Sequence, residues 1–60
     1  ATQNPDFIRI LAAAYFESGD YNKSKVLAEK AFAMAREQRL LILIDEIESL
    51  LTAIKEKQKE

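Results

Sequence analysis

Residues 15–24 read YFESGDYNKS and contain the one glycine of the 60-residue chain. Glycine accepts the left-handed backbone conformation that commonly closes a helix, so we expect Gly19 to end one. Asp20 follows directly, and its carboxylate can accept a hydrogen bond from a backbone N–H of a second helix. The segment therefore predicts two helices joined by a tight turn over residues 18–21.

The residues before this turn have the pattern of an amphipathic helix. Asn4 precedes the chain's one proline, Pro5, and asparagine as N-cap with proline at the first helical position is a common helix start. Apolar side chains then recur at steps of three and four residues, which places them on one helix face. They are Phe7, Ile8, Leu11, Ala12 and Tyr15. We predict a first helix over residues 5–18.

The residues after the turn predict a second helix, over residues 20–36, whose apolar face is made mostly of small side chains. At helical spacing it carries Ser24, Leu27, Ala28, Ala31, Met34 and Ala35. Small side chains let a neighbouring helix approach closely. We therefore expect this helix to pack against its neighbours along its length.

The end of the second helix has no glycine or proline to mark it. A further apolar stripe follows, made of Leu40, Ile44, Ile47, Leu51 and Ile54. It lies on a different face from the stripe of the second helix, and one straight helix cannot bury both faces against one surface. We predict a break near residues 36–39 and a third helix over residues 39–58. The alternative is one continuous helix, which would favour a dimer with exchanged helices.

Composition limits what this chain can build. A domain of this length buries only about 60% of the surface that its unfolded chain exposes, so we expect marginal stability without help. The chain has no cysteine and no histidine, which excludes a disulfide framework and the common zinc sites. We expect no metal and no cofactor, and association is the remaining source of stability. The lack of cysteine slightly favours a reducing cytoplasm but leaves localisation open.

The charge pattern argues against several classes of function. The formal net charge is -1 and the acidic and basic residues are interspersed, which argues against a basic patch for nucleic acid. The longest apolar run, residues 40–44, is too short to span a bilayer. Without histidine or cysteine the common catalytic triads fail, and one glycine cannot build a phosphate loop. We predict that the chain is not an enzyme and that its partner is a protein or peptide, with no nucleic acid and no membrane.

A spaced set of residues runs through both predicted helices of the hairpin. In chain order it consists of Ile8, Leu11, Ala12, Tyr15, Ser24, Ala28 and Arg36. Residues 8–35 thereby resemble a tetratricopeptide repeat (TPR), whose pattern has Leu and Tyr at the second and fourth of these positions and small residues where helices cross. Three positions depart from the pattern, because Ile8 replaces a Trp, Ala28 a large aromatic residue and Arg36 the Pro that ends the second helix.

This resemblance implies a fold. We predict an all-α domain over residues 1–60, a TPR-like antiparallel helical hairpin followed by a third, longer capping helix. About three or more repeats are normally needed for stability, and this chain has one. We therefore expect either the C-terminal end of a longer array or a homo-oligomer that supplies the missing neighbours. The polar end of the third helix, residues 55–60, is typical of a cap.

The resemblance also implies a peptide groove, which TPR proteins line mainly with their first helices. The matching positions are Asp6, Arg9, Ala13, Phe16 and Glu17. One branch of the family grips a terminal carboxylate with basic side chains and an Asn. Arg9 matches that branch in part, but Ala13 stands where the Asn would be. We expect the groove to bind protein without such a clamp.

The start of the third helix predicts a second contact site. Leu41 and Ile42 flank its apolar stripe, whose later turns carry acidic and polar residues in the same places, so they need a cover. We predict contact with another chain through Leu40, Leu41, Ile42 and Ile44; the alternative is that the hairpin buries this turn. The function predicted is a scaffold or adaptor module. The alternatives are a dedicated homo-oligomerisation domain and a non-catalytic regulatory fragment of a larger enzyme.

Overall fold

Three α-helices make up the part of the chain that the structure, a computed structural model, describes, namely residues 4–59. Helix α1 spans Pro5–Ser18, α2 spans Tyr21–Glu37 and α3 spans Leu41–Lys59. The predicted all-α class is confirmed, with an antiparallel pair followed by a longer third helix. The predicted domain, residues 1–60, extends past the described residues at both ends.

Helix α1 begins and ends where local chemistry predicts. The Asn4 side chain accepts a hydrogen bond from the Asp6 backbone N–H at 2.9 Å, and Pro5 occupies the first helical position. At the other end Gly19 has a φ of 90°. Its N–H donates to the Phe16 carbonyl at 3.1 Å, and the Asp20 N–H donates to the Tyr15 carbonyl at 2.9 Å. This pair of bonds is the Schellman motif.

The connection between α1 and α2, here called turn 1, consists of Gly19 and Asp20. The Asp20 carboxylate accepts a hydrogen bond from the Lys23 backbone N–H at 3.2 Å, which supplies a partner for an otherwise unpaired donor. Helix α2 starts at Tyr21, one residue later than predicted, because Asp20 is its cap and not its first helical residue.

The connection between α2 and α3, here called turn 2, spans residues 38–40. Arg39 has a φ of 58°, in the left-handed region that glycine usually occupies. Its N–H donates to the Arg36 carbonyl at 3.1 Å, and the Leu40 N–H donates to the Ala35 carbonyl at 2.9 Å, so turn 2 is also a Schellman motif. The predicted break is confirmed, and α2 and α3 are separate helices. Helix α3 starts two residues later than predicted because Arg39 leaves the helical conformation.

The core lies where the three helices meet. Its fully or almost fully buried members are Ile8, Ala12, Ser24, Ala28, Ala31, Ala35, Ile47 and Ile54. The small residues of α1 and α2 bring these two helices close together, and the buried Ser24 hydroxyl donates to the Ala12 carbonyl at 2.7 Å. Burial of this hydroxyl therefore leaves no polar atom unpaired, which avoids the main cost of a polar core residue.

Helix α3 packs antiparallel to α2 and touches α1 only along a short stretch. Two polar contacts mark its two ends. Near its start, the Arg9 Nε of α1 lies 3.7 Å from the Glu46 carboxylate. Near its end, the Gln58 Nε2 donates to the Asn22 Oδ1 at 3.1 Å. The first turn of α3 thus lies beside the start of α1, where the predicted contact site of α3 meets the first residues of the set predicted for peptide binding.

Candidate protein-contact surface

The first turn of α3 carries the two most exposed large apolar side chains of the described residues. Leu41 is 75% exposed and Ile42 81% exposed, and Leu40 beside them is 38% exposed. We call Leu40, Leu41 and Ile42 the apolar patch. Three of the four residues predicted for contact with another chain therefore lie at the surface. The fourth, Ile44, is half-buried and packs against the core.

Helix geometry explains why the patch points away from the core. Ile47 is the first fully buried residue of α3. Leu41 and Ile42 precede it by six and five residues, which places them roughly 120–140° around the helix from it. The core side of α3 is therefore already occupied by its own stripe. The hairpin leaves the patch uncovered, so the predicted alternative of a fully buried first turn is wrong.

A groove of about 640 Å³ runs along the patch. Its apolar lining comes from the patch and Leu43, and charged side chains stand at its edge. These are Asp6, Arg39 and Glu46. An apolar floor with a polar rim is the arrangement found in surfaces that proteins bind. The groove also joins the two predictions, since Asp6 comes from the set predicted for peptide binding.

The Arg9 side chain already has carboxylate partners within this chain. Its guanidinium donates two hydrogen bonds to the Asp6 Oδ1, at 3.1 Å from Nε and 2.9 Å from Nη2, and its Nε also lies near Glu46. An arginine already engaged by two carboxylates attracts a ligand carboxylate less than a free one does. The two carboxylate side chains are 54% and 56% exposed, so each pair is worth only about 0–1 kcal/mol.

The other residues predicted for peptide binding occupy the middle and end of α1. Phe16 packs against the core and its ring lies 5.4 Å from the Tyr21 ring, centroid to centroid. Ala13 is half-buried and Glu17 is exposed. Phe16 thus has a structural partner of its own. Of the five predicted residues, Asp6 alone also lines the groove beside the patch.

A second apolar groove was missed by the sequence reasoning. It has a volume of about 360 Å³ and lies between α1 and α2, with Tyr15, Leu27 and the exposed Val26 in its lining and Lys23 at its side. The Lys23 Nζ stands 5.5 Å from the centre of the Tyr15 ring. The available signal was Val26 itself, a large apolar residue outside the buried stripe of α2.

The outer side of α1 is a further apolar area. Phe7 is 59% exposed, and Ile10 and Leu11 are also exposed. No helix of the described residues covers them, because α2 and α3 lie on the other sides of α1. In residues 4–59 no group of three acidic side chains is placed to hold a metal ion, and none of the three helices is both long and apolar enough to cross a bilayer.

No protein-family model matches the chain, and no solved structure matches it. The resemblance to a TPR therefore rests on the residue spacing given above and stays a prediction.

Proposed function

We propose that the chain is a protein-interaction module, one TPR-like hairpin with a third helix packed on it, and that it binds protein through the apolar patch and the groove beside it. The observation that carries the proposal is the exposure of Leu41 and Ile42 next to a groove with a charged rim. The proposal assigns no catalytic step to the chain.

Energetics favour a partner at this place. Burying a leucine or isoleucine side chain that was exposed stabilises a complex by about 1.5–3 kcal/mol. Single exposed apolar residues are ordinary, but adjacent ones beside a groove mark contact surfaces. Leu41 and Ile42 are adjacent and project from a helix, so one partner surface can cover both.

The uncovered side of α1 supports the repeat-like part of the proposal. In a TPR array each hairpin has a neighbour on both sides. Here α3 takes the place of the following helix, whereas no helix of residues 4–59 covers Phe7, Ile10 and Leu11 on the opposite side. A preceding repeat would cover them. The patch and the outer side of α1 are thus two separate surfaces, one for a partner and one for a neighbouring repeat.

The proposal is tested by selecting binders from a random library of displayed peptides and measuring each selected peptide by titration. We expect apolar peptides whose affinity falls at least tenfold when Ile42 is changed to glutamate, because a charge in the centre of the patch must then be desolvated. Ile42→Glu should leave helicity unchanged, since the side chain is 81% exposed.

The matched control is Val26→Glu, which places the same charge at an exposed valine on α2, 65% exposed and in the other groove. This variant should bind the selected peptides as the original chain does. The proposal fails if the monomeric chain selects no peptide, or if binding depends on Val26 and not on Ile42.

A further inference from the structure

Turn 2 is built from residues that prefer to be helical. Residues 36–44 read REQRLLILI, with no glycine and no proline, and arginine, glutamate, glutamine and leucine are all good helix formers. Arg39 nevertheless has a φ of 58°, where its Cβ crowds the backbone. The turn therefore holds one residue in an unfavourable conformation that a continuous helix would relieve.

A continuous helix would also change the position of Ile42. Ala28, Ala35 and Ile42 are spaced by seven residues, so in one straight helix they lie close to the same face. Ala28 and Ala35 are fully buried, whereas Ile42 is 81% exposed. The residue that turn 2 leaves most exposed is the one that would extend the buried face of α2.

Charge on the two sides of the patch is complementary. Arg36, Glu37 and Arg39 precede it with a net charge of +1, and Asp45, Glu46 and Glu48 follow it with a net charge of -3. All six are exposed. Two copies of this segment placed antiparallel across a two-fold axis would bring the basic side of each against the acidic side of the other. Such complementarity favours that pairing over a parallel one.

We infer that the chain forms a dimer by exchanging α3. In each copy α2 and α3 join into one helix through residues 38–40, and α3 packs on the hairpin of the second copy. Every contact of α3 with a hairpin is kept, because only the chain that supplies the helix differs. The two apolar patches come together near the two-fold axis. This inference rests on the proposed function, in which the patch is a contact surface, and names a second copy as the partner.

The exchange also resolves the conflict between the two apolar faces. One straight helix cannot bury both against one surface. In the exchanged dimer the face of α2 is buried against its own α1, and the stripe around Ile47 and Ile54 is buried against the other hairpin. Turns under strain favour such exchange, and Arg39 supplies that strain in this chain.

The test uses the contact between the end of α3 and the start of α2. Gln58 and Asn22 touch at 3.1 Å, and the chain has no cysteine of its own. In the variant Asn22→Cys with Gln58→Cys, a short bis-maleimide can join the two positions. A monomer becomes linked within one chain, and an exchanged dimer becomes linked between two.

The double-cysteine chain is heated and cooled at several concentrations, linked, and run on a denaturing gel beside light scattering of the unlinked sample. We expect linked dimers whose fraction rises with concentration and matches the dimer fraction in light scattering. The single variants Asn22→Cys and Gln58→Cys report the background of random links. Linked monomers at every concentration would overturn the exchange.

Arg39→Gly in the double-cysteine chain is the matched variant. Glycine adopts the left-handed conformation of position 39 in the monomer without strain, and it weakens a continuous helix. Both effects oppose exchange. With two such turns in a dimer, the dissociation constant should rise by roughly a hundredfold or more. An unchanged dimer fraction contradicts the inference.

A dimer in light scattering whose links all lie within one chain means that two copies, each with α3 packed on its own hairpin, dock through their apolar patches. That outcome overturns the exchange and leaves the proposed function standing. Failure of the proposed function has a different signature, since Ile42→Glu would then change neither peptide binding nor the mass in solution.

Discussion

Turn 1 and turn 2 close their helices with the same two hydrogen bonds, yet the residues that form them differ. Turn 1 has Gly19 in the left-handed position and Asp20 as a side-chain cap for the next helix. Turn 2 has Arg39 in the left-handed position. Leu40 occupies the cap position of α3, because its carbonyl accepts from the Ile44 N–H at 2.9 Å, and a leucine side chain cannot accept a hydrogen bond.

The comparison separates a turn that is specified by its own residues from one that is specified by the packing of the helices around it. Turn 1 is specified by its own residues, since glycine and aspartate favour this geometry whatever surrounds them. Turn 2 is specified by packing, because α3 must turn back to bury Ile47 and Ile54. A turn that depends on packing is easier to open than one that local chemistry favours. Four substitutions test this difference, in order of expected effect.

Gly19→Val should have the largest effect, lowering the free energy of unfolding by about 2 kcal/mol. A Cβ at Gly19 would meet nothing within 4 Å, so the cost comes from the φ of 90° and not from a clash. Urea denaturation followed by circular dichroism measures it. Gly19→Asn is the control and should lose much less, because asparagine tolerates this conformation. Equal losses in the two variants would point to a cause other than φ.

Asp20→Ala should lower the free energy of unfolding by about 1 kcal/mol, because the Lys23 N–H loses its acceptor. The same urea titration applies. Asp20→Asn keeps an acceptor oxygen and should retain most of the stability. A loss as large with asparagine as with alanine would mean that charge, and not the hydrogen bond, matters at this cap.

Arg39→Gly should raise the free energy of unfolding of the monomer by about 0.5–1 kcal/mol, since relief of the left-handed conformation exceeds the added freedom of the unfolded chain. Thermal unfolding at low concentration reads this out. Arg39→Ala keeps the Cβ and should give no such gain. A destabilised glycine variant would show that the arginine side chain makes a contribution larger than its backbone cost.

Arg9→Gln should have the smallest effect, below about 0.5 kcal/mol, although it removes the contact between α1 and α3 beside turn 2. Exposed ion pairs contribute little, and added salt should reduce the small difference further by screening the charges. Urea titrations with and without added salt measure it. A loss above 1 kcal/mol would indicate that this contact holds α3 in place.

Sequence reasoning succeeded where the relevant chemistry is local. Asn4, Pro5, Gly19 and Asp20 act on the backbone within three or four residues of themselves, so the limits of α1 and the place of turn 1 followed directly. The break before α3 was predicted because the apolar stripes of the second and third helices lie on different helix faces. The start of α3 was predicted two residues early, because nothing in the local sequence marks Arg39 as left-handed.

The candidate site was less accessible to such reasoning. Leu41 and Ile42 could be selected because they lie off the stripe of their own helix. The engagement of Arg9 by Glu46 depends on two helices that are far apart in sequence, so spacing could not reveal it. Two residues show the same limit. Ile44 was expected at the contact site and is half-buried, whereas Val26 was overlooked and is exposed.

The buried hydrogen bond from Ser24 to the Ala12 carbonyl has a consequence for axial alignment. Where α1 and α2 meet, most of the fully buried side chains are methyl groups, which set how closely two helices approach but are nearly interchangeable when one helix slides past the other. A hydroxyl needs its acceptor within hydrogen-bond distance and loses it when one helix slides by a fraction of a turn. Ser24 therefore disfavours small axial shifts, and the methyl groups determine the separation.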